Sequence, residues 1–137
     1  MKKWLLMLFM LGMFGMQAQA KKGSNESTLV IKYSFKGIEE GYDHNSKAVI
    51  SIDGEEVYTS RVHKESSSQT VTLKVPMGKF DLNLMMWAEY EGQWEEHSID
   101  NNYSFDCAVD ETFRASKKKH TLTIVFDLDK GVDFIYK

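Results

Sequence analysis

The sequence predicts an all-β domain, in which seven or eight strands form a sandwich of two antiparallel sheets. Three observations lead to this prediction. Apolar and polar residues alternate along most of the chain after residue 20, as they do in strands that have one face in a core. Short turn sequences separate the alternating segments. No segment shows a convincing helical repeat of apolar residues.

Five segments show the alternation clearly, and their apolar positions form the predicted core. These positions are Leu29, Ile31, Tyr33 and Phe35; Ala48, Ile50 and Ile52; Val71, Leu73 and Val75; Phe80, Leu82, Leu84, Met86 and Ala88; and Leu122, Ile124, Phe126 and Leu128. The segment from Asp110 to Lys119 is the best candidate for a single helical turn.

Turn residues separate these segments. Asp53-Gly54 and Glu91-Gly92 are each predicted to close a two-residue hairpin, because a type I′ turn needs positive φ at both central positions. Pro76 to Lys79 is typical of a tight turn. Asp129 to Gly131 is expected to return the chain into a last short strand, Val132 to Tyr136.

The first twenty residues are predicted to be a signal peptide that is removed on export. Lys2 and Lys3 precede an apolar run from Trp4 to Phe14, and Ala18-Gln19-Ala20 offers the small residues that a signal peptidase accepts. The run is too short for a membrane-spanning helix, which needs about 20 apolar residues. We therefore expect residues 21–137 to be a single domain in the periplasm, at the cell surface or outside the cell.

The exported part is acidic. The chain has 17 basic and 20 acidic residues, and two of the basic residues lie in the signal. This balance lacks the positive surface that phosphate backbones and anionic lipids attract. We therefore expect no nucleic-acid partner and no stable membrane insertion after cleavage.

Cys107 is the only cysteine, so no disulfide can form within the chain. A free cysteine on an apolar strand face behaves as a small hydrophobic residue. We predict that Cys107 lies in the core, whereas a catalytic thiol would need a neighbouring base.

No catalytic or metal-binding motif is evident in the sequence. There is no G-x-S-x-G, no H-E-x-x-H and no cysteine pair. Glu95 and His97 share one side of a predicted strand, but no third ligand is visible. The acids Asp127, Asp129 and Asp133 could suit calcium, yet a turn with outward-facing acids explains them more simply. We predict no metal and no cofactor.

The hairpin around Glu91-Gly92 carries the candidate binding site. In its predicted register, Glu89 faces Trp94 and Trp87 faces Glu96. The candidate ligand or partner face therefore consists of Met85, Trp87, Glu89, Trp94 and Glu96. Indoles beside carboxylates suit sugar rings and protein partners alike, and packing beneath a loop or strand is the alternative. The opposite face, predicted to point into the core, consists of Leu82, Leu84, Met86, Ala88, Tyr90 and Ile99.

Two short segments carry a resemblance to a known class. Residues 50–57, ISIDGEEV, and residues 75–82, VPMGKFDL, are similar to the strand and turn pattern of PEGA-type bacterial surface modules. The signal peptide resembles those of Bacteroidetes-type bacteria. The resemblance implies a non-catalytic attachment or interaction domain and no site residues. A true immunoglobulin domain is disfavoured because the Cys–Trp–Cys spacing is missing, which leaves an Ig-like or transthyretin-like sandwich.

Three functions remain open at this point. The first is a secreted, non-catalytic binding or interaction module with a protein partner at the cell envelope. The second is a carbohydrate-binding module that uses Trp87 and Trp94. The third is a small enzyme or an enzyme inhibitor.

Overall fold

The computed structural model describes residues 25–137, which form ten strands and a short 3-10 helix, Ile99–Asn101. The strands, numbered in chain order, are β1 Glu26–Lys36, β2 Asn45–Ile52, β3 Glu55–Thr59, β4 His63–Lys64, β5 Gln69–Pro76, β6 Gly78–Tyr90, β7 Gln93–Glu96, β8 Ala108–Ala115, β9 Lys119–Asp127 and β10 Gly131–Tyr136.

The strands form two sheets, which confirms the predicted all-β class. The first sheet has four strands in the order β10-β9-β1-β5. The second has six strands: β3, β2, β6 and β7 follow one another, β4 pairs with β2, and β8 pairs with β6. All pairs are antiparallel except β1 and β9, which run parallel.

The structure has ten strands, and the sequence alone predicts seven or eight. One of the additional strands, β4, has only two residues, too few to show any alternation. The other, β8, occupies most of the segment proposed above for a helical turn, so that proposal is wrong. Val109, Phe113 and Ala115 are buried along β8, and their period of two follows the strand geometry.

Strand β1 lies inside its sheet and joins distant parts of the chain. Its inward-facing residues Leu29 and Ile31 are fully buried between β5 and β9. Near its start, the hydroxyl of Ser27 donates a 2.7 Å hydrogen bond to the carbonyl of Lys117, which lies 90 residues further along. The first strand therefore depends on a partner from the C-terminal part of the chain.

Strand β6 is the longest strand and organises the second sheet. One of its edges pairs with β2. The other edge pairs first with β8 and then, beyond Met85, with β7. Its buried residues alternate with outward-facing ones as predicted, because each successive side chain of a strand points to the opposite face of the sheet.

The core lies between the two sheets and contains most of the predicted positions. Phe35 and Leu73 are half-buried and pack against it, and Leu128 is half-buried at the end of the sandwich. The buried apolar cluster comprises Leu29, Ile31, Tyr33, Ala48, Ile50, Ile52, Val71, Val75, Phe80, Leu82, Leu84, Met86, Cys107, Val109, Phe113, Ala115, Leu122, Ile124 and Phe126.

Both predicted two-residue hairpins are present. Asp53 and Gly54 have φ of 52° and 84°, and Glu91 and Gly92 have φ of 52° and 79°. Positive φ at both central residues is what the type I′ geometry requires. The hairpin turns therefore fix the register of β2 with β3 and of β6 with β7.

The tight turn at Pro76 carries the chain from one sheet to the other. Strand β5 ends at Pro76 in the first sheet, and β6 begins at Gly78 in the second. Gly78 has φ of 92°, a conformation that glycine adopts without a steric penalty. The turn thus connects the two layers of the sandwich. At the C-terminus, β10 covers the predicted last strand.

The predicted signal peptide, residues 1–20, lies outside the described residues. Within residues 25–137 no helix has the length and apolar character needed to span a membrane.

The core assignment predicts that an isoleucine-to-valine substitution affects the free energy of unfolding differently at a buried and at an exposed position. Ile50 is fully buried, whereas Ile135 is 58% exposed. We expect Ile50→Val to lower the free energy of unfolding by about 0.5–1.5 kcal/mol, because the cavity it leaves has no solvent to fill it. Ile135→Val should change it by less than about 0.5 kcal/mol. Urea denaturation followed by circular dichroism measures both, and equal losses would contradict the assignment.

Candidate functional site

A pocket of about 500 Å³ opens at one end of the sandwich. It lies where β1, β6 and β9 end and where β2 begins, so both sheets contribute to its wall. Its lining residues are Gly37, Glu39, Tyr42, His44, Glu65, Tyr90, Glu95, His97, Asn101, Asn102, Tyr103, Ser104, Leu128 and Asp129. Most of them come from the connections that follow these strands, the usual location of binding residues on a β scaffold.

Glu65 is the deepest charged residue of this pocket, with only 1% of its surface exposed. The pairing of β4 with β2 places it there, and its backbone N–H donates to the carbonyl of His44 at 3.0 Å. The next residue is fixed as well: Asp43 accepts hydrogen bonds from the Ser66 N–H at 3.0 Å and from the Ser66 hydroxyl at 2.6 Å. These bonds hold the pKa of Asp43 below its usual value.

Two histidines flank the carboxyl group of Glu65. The Nδ1 of His97 lies 3.3 Å from Oε2, and the Nδ1 of His44 lies 3.6 Å from Oε1. Each contact becomes an ion pair only when the imidazole is protonated. Neither nitrogen makes a hydrogen bond within the described chain. A hydrogen bond needs a suitable angle as well as a short distance.

Aromatic packing holds the two imidazole rings in place. The ring of His97 stacks on Phe35 with centroids 5.8 Å apart, and it contacts Tyr103 at 4.0 Å. His44 meets the edges of Tyr90 and Tyr103 at 6.2 and 6.3 Å. Burial raises the pKa of Tyr103, and the neighbouring carboxyl group of Glu95, through polar contact and charge, raises it further.

All unpartnered buried side-chain atoms of residues 25–137 belong to this one pocket. They are His44 Nδ1, Glu65 Oε2, His97 Nδ1 and the hydroxyl oxygen of Tyr103. Buried polar atoms in folded proteins are nearly always hydrogen-bonded, and an unsatisfied one is unfavourable by about 1–3 kcal/mol. Four such atoms lie in residues that line a single cavity.

The pocket is acidic. Its lining contains the carboxyl groups of Glu39, Glu65, Glu95 and Asp129, and no lysine or arginine of the described chain lines it. Across residues 25–137, no three His, Cys, Asp or Glu side chains are arranged to hold a metal ion. The functional groups that the lining offers are carboxyl groups, imidazoles and tyrosine side chains.

The predicted binding face of the hairpin lies on the other side of the second sheet. Glu89 pairs with Trp94 and Trp87 pairs with Glu96, as the sequence predicts. Met85, Trp87, Glu89 and Trp94 are half-buried, and Glu96 is exposed. Because these five side chains point away from the core, the structure separates them from the pocket.

Two members of this hairpin face already have partners. The Nδ2 of Asn45 donates to Glu89 Oε1 at 3.1 Å. The Nζ of Lys47 lies 4.7 Å from the ring centroid of Trp94, within the range of a cation–π interaction. Lys47 itself pairs with Trp87 across β2 and β6. One face of the Trp94 ring is thus occupied by a charge of the same chain.

The predicted core face of the hairpin requires one correction. Leu82, Leu84, Met86 and Ala88 are buried, but Tyr90 is 51% exposed and Ile99 is 58% exposed. Tyr90 is the last residue of β6, and Ile99 belongs to the 3-10 helix. The alternating burial of β6 thus ends at Ala88, two residues before the strand ends.

The sequence predicts that Glu95 and His97 share one side of a strand, but it gives no sign of the residues that complete the site. Both predicted residues do line the pocket. The missing partners, His44 and Glu65, stand on either side of the β2–β4 pairing, in connections that have no periodic pattern. A buried Glu after a two-residue strand leaves no signal in a single sequence.

Cys107 is fully buried and free of any disulfide. Its backbone N–H donates to the carbonyl of His97 at 2.8 Å. Burial raises the pKa of the thiol, and the charges of Glu65 and Asp106 raise it further. A raised pKa suppresses the thiolate, as expected of a core residue.

No protein-family model and no curated protein matches the chain. Two solved structures are similar to it over 82% of its length, each with a TM-score of 0.38: a Gram-negative toxin at 8% identity and pneumolysin at 13% identity. The chain spans 23% of the length of each of those two proteins.

The burial of Cys107 predicts slow labelling of the native protein. We expect a disulfide-exchange reagent at neutral pH to react at least about a hundredfold more slowly with the folded protein than with the protein in urea, because access requires unfolding. Absorbance of the released thiol measures both rates. Rapid labelling of the folded protein would show that the thiol is accessible and that the core assignment fails.

Proposed function

We propose that this chain is an exported, non-catalytic binding module, that its ligand site is the pocket at the end of the sandwich, and that its partner is a protein of the cell envelope. One observation carries this proposal. The four unpartnered buried polar atoms of residues 25–137 all line the same cavity. Such atoms are tolerated where a ligand completes their hydrogen bonds.

The dimensions and lining of the pocket support a ligand site. Its volume of about 500 Å³ falls within the roughly 300–1,000 Å³ common for small-molecule and side-chain pockets. Aromatic rings make up much of the wall, and a few convergent polar groups stand at its base. That combination gives both contact area and orientation to a bound group.

The rim of the pocket favours a protein partner. Tyr42 and Tyr90, 61% and 51% exposed, both belong to the lining, and the exposed Ile99 is near it on the 3-10 helix. Tyrosine is enriched in the energetically dominant part of protein interfaces. Exposed aromatic and aliphatic side chains around a polar cavity suit a partner that inserts one side chain and covers the surrounding surface.

A binding role is favoured over an acid–base enzyme by the geometry of Glu65 and His97. In a catalytic pair, a carboxylate accepts a hydrogen bond from the imidazole and fixes its tautomer. Here the Nδ1 of His97 lies 3.3 Å from Glu65 Oε2 without making that bond. The imidazole is therefore held by ring packing rather than by the carboxyl group.

Two further parts of the proposal concern the compartment and the fold class. Export is supported by the basic start, the apolar run and the small residues before position 21. An Ig-like or transthyretin-like sandwich is supported by the crossing between sheets at Pro76 and by the two packed sheets. Release of a protein that begins at Lys21 would test the first, and an experimental structure the second.

Photo-crosslinking from the rim tests the protein partner. We expect a photoreactive phenylalanine in place of Tyr42 or Tyr90 to capture the same envelope protein in intact cells, because both positions border the pocket. The same residue in place of Val57 or Ile135, exposed positions outside the lining, should not capture it.

Capture must also depend on the pocket. Adding Glu65→Gln to the Tyr90 probe should reduce the crosslinked product several-fold while thermal unfolding still shows a folded protein. Equal capture from all four positions, capture that ignores the Glu65 change, or no captured protein would each contradict the proposal.

A carbohydrate-binding module is the second candidate, and the hairpin face favours it. Trp87 and Trp94 share that face and are only half-buried, so a sugar ring can stack on an indole. The competing cation, Lys47, covers one ring. A glycan ligand would have to displace it or use Trp87.

Tryptophan fluorescence tests this candidate directly, since Trp87 and Trp94 are the only tryptophans after residue 20. If the face binds glycans, a polysaccharide from a plant or microbial wall panel changes the emission saturably, and Trp87→Ala abolishes the response. Lys47→Ala should then strengthen binding by uncovering Trp94. A panel without any saturable change excludes a glycan role for this face.

A further inference from the structure

We propose that the pocket binds a primary ammonium group carried on a slender aliphatic chain, such as a lysine side chain of the partner or a free alkyl amine. This inference rests on the proposed function, because it names the ligand of the same pocket. It follows from the acceptor atoms, the charge, the aromatic rings and the depth of Glu65.

The unpartnered atoms match the donors of an ammonium group. A carboxylate oxygen, a phenolic oxygen and the bare nitrogen of a neutral imidazole can all accept hydrogen bonds. Glu65 Oε2 and the Tyr103 oxygen are acceptors of this kind, and His44 Nδ1 and His97 Nδ1 join them in the tautomer that carries the ring proton on Nε2. An ammonium group has three donors and no acceptor, so it can satisfy several of them at once.

The charge of the lining selects a cation. Four carboxyl groups line the pocket, and within the described chain no lysine or arginine balances them there. A cluster of exposed acidic residues alone would not indicate a cation site, because many solvated loops are acidic. One of the four, Glu65, has only 1% of its surface exposed, and its Oε2 lacks a hydrogen bond. A carboxyl group so removed from water gains from a cation brought to it.

An organic cation fits better than a metal ion. No three His, Cys, Asp or Glu side chains between residues 25 and 137 converge as a metal site requires. Tyrosine rings, in contrast, surround the carboxyl groups: Tyr42, Tyr90 and Tyr103 all belong to the lining. Aromatic faces beside carboxylates attract ammonium groups through cation–π interactions.

The depth of the pocket requires a slender chain behind the charge. Glu65 is buried, whereas Tyr42 and Tyr90 are more than half exposed. A ligand whose charge reaches Glu65 therefore extends from the exposed part of the lining to its buried base. Alkyl methylenes suit the ring surfaces and Leu128 on the way in, as the stem of a lysine side chain suits apolar surface elsewhere in proteins.

Calorimetric titration of the protein from residue 21 onward tests the inference with four probes. Nα-acetyl-lysine methylamide and 1,5-diaminopentane carry the ammonium group. Nα-acetyl-norleucine methylamide keeps the aliphatic chain without the charge, and glutarate reverses the charge. We expect the two amines to bind and the other two to show binding at least about tenfold weaker, since only the amines bring a charged hydrogen-bond donor to the buried carboxyl group.

Adjacent glutamates of β7 supply a matched pair of variants. Glu95 lines the pocket, whereas Glu96 is exposed on the hairpin face. Both changes, Glu95→Gln and Glu96→Gln, remove one charge from the same strand. We expect Glu95→Gln and Glu65→Gln to weaken the amines about tenfold or more, and Glu96→Gln to leave binding within about twofold. Should Glu65→Gln fail to fold, the Glu95 and Glu96 pair decides the question.

The four probes also separate this inference from the proposed function. Tighter binding of the lysine derivative identifies a partner side chain as the source, and tighter binding of the diamine identifies a free amine; either supports the inference. Equal binding of the norleucine derivative or of glutarate overturns it, and so does an equal loss in Glu95→Gln and Glu96→Gln. If no probe binds while rim crosslinking persists, the ammonium inference fails alone. If crosslinking fails as well, both fail.

Discussion

The two-residue periodicity of β6 is the constraint on which the rest of the structure depends. Its inward face supplies Leu84 and Met86 to the core, and its two edges hold β2, β7 and β8 in one sheet. A slip of one residue would exchange its two faces. The same strand carries Tyr90 to the pocket rim, so the register that builds the core also positions the site.

The pocket depends on a second set of interactions, which keeps a carboxyl group away from water. Burying such a group is unfavourable unless charges or donors compensate. The chain holds Glu65 in place with the β2–β4 pairing and with the bonds between Asp43 and Ser66, while the surrounding polar atoms stay free of bonds to one another. A fixed local backbone and buried polar atoms without hydrogen bonds thus occur together, as in other preorganised sites.

The sequence predicts the framework better than the pocket, and the reason is physical. Alternation and turn residues are local signals, so the inward positions of β6 and the Glu91-Gly92 hairpin register could be read directly. Glu65 becomes buried only because β4 pairs with β2 and because connections from both sheets meet above it. Such convergence is a tertiary effect that no single segment encodes. The sequence does not predict β4 or β8 for a related reason. Their pairing with β2 and β6, rather than their intrinsic strand propensity, makes them strands.

The parallel pairing of β1 with β9 affects how the domain is made. Strand β1 is synthesised before β9, and the partner of Ser27 follows 90 residues later. Contacts so distant in sequence slow folding, since a long loop must close before they contribute. The first sheet consequently cannot be completed until the C-terminal strands are available.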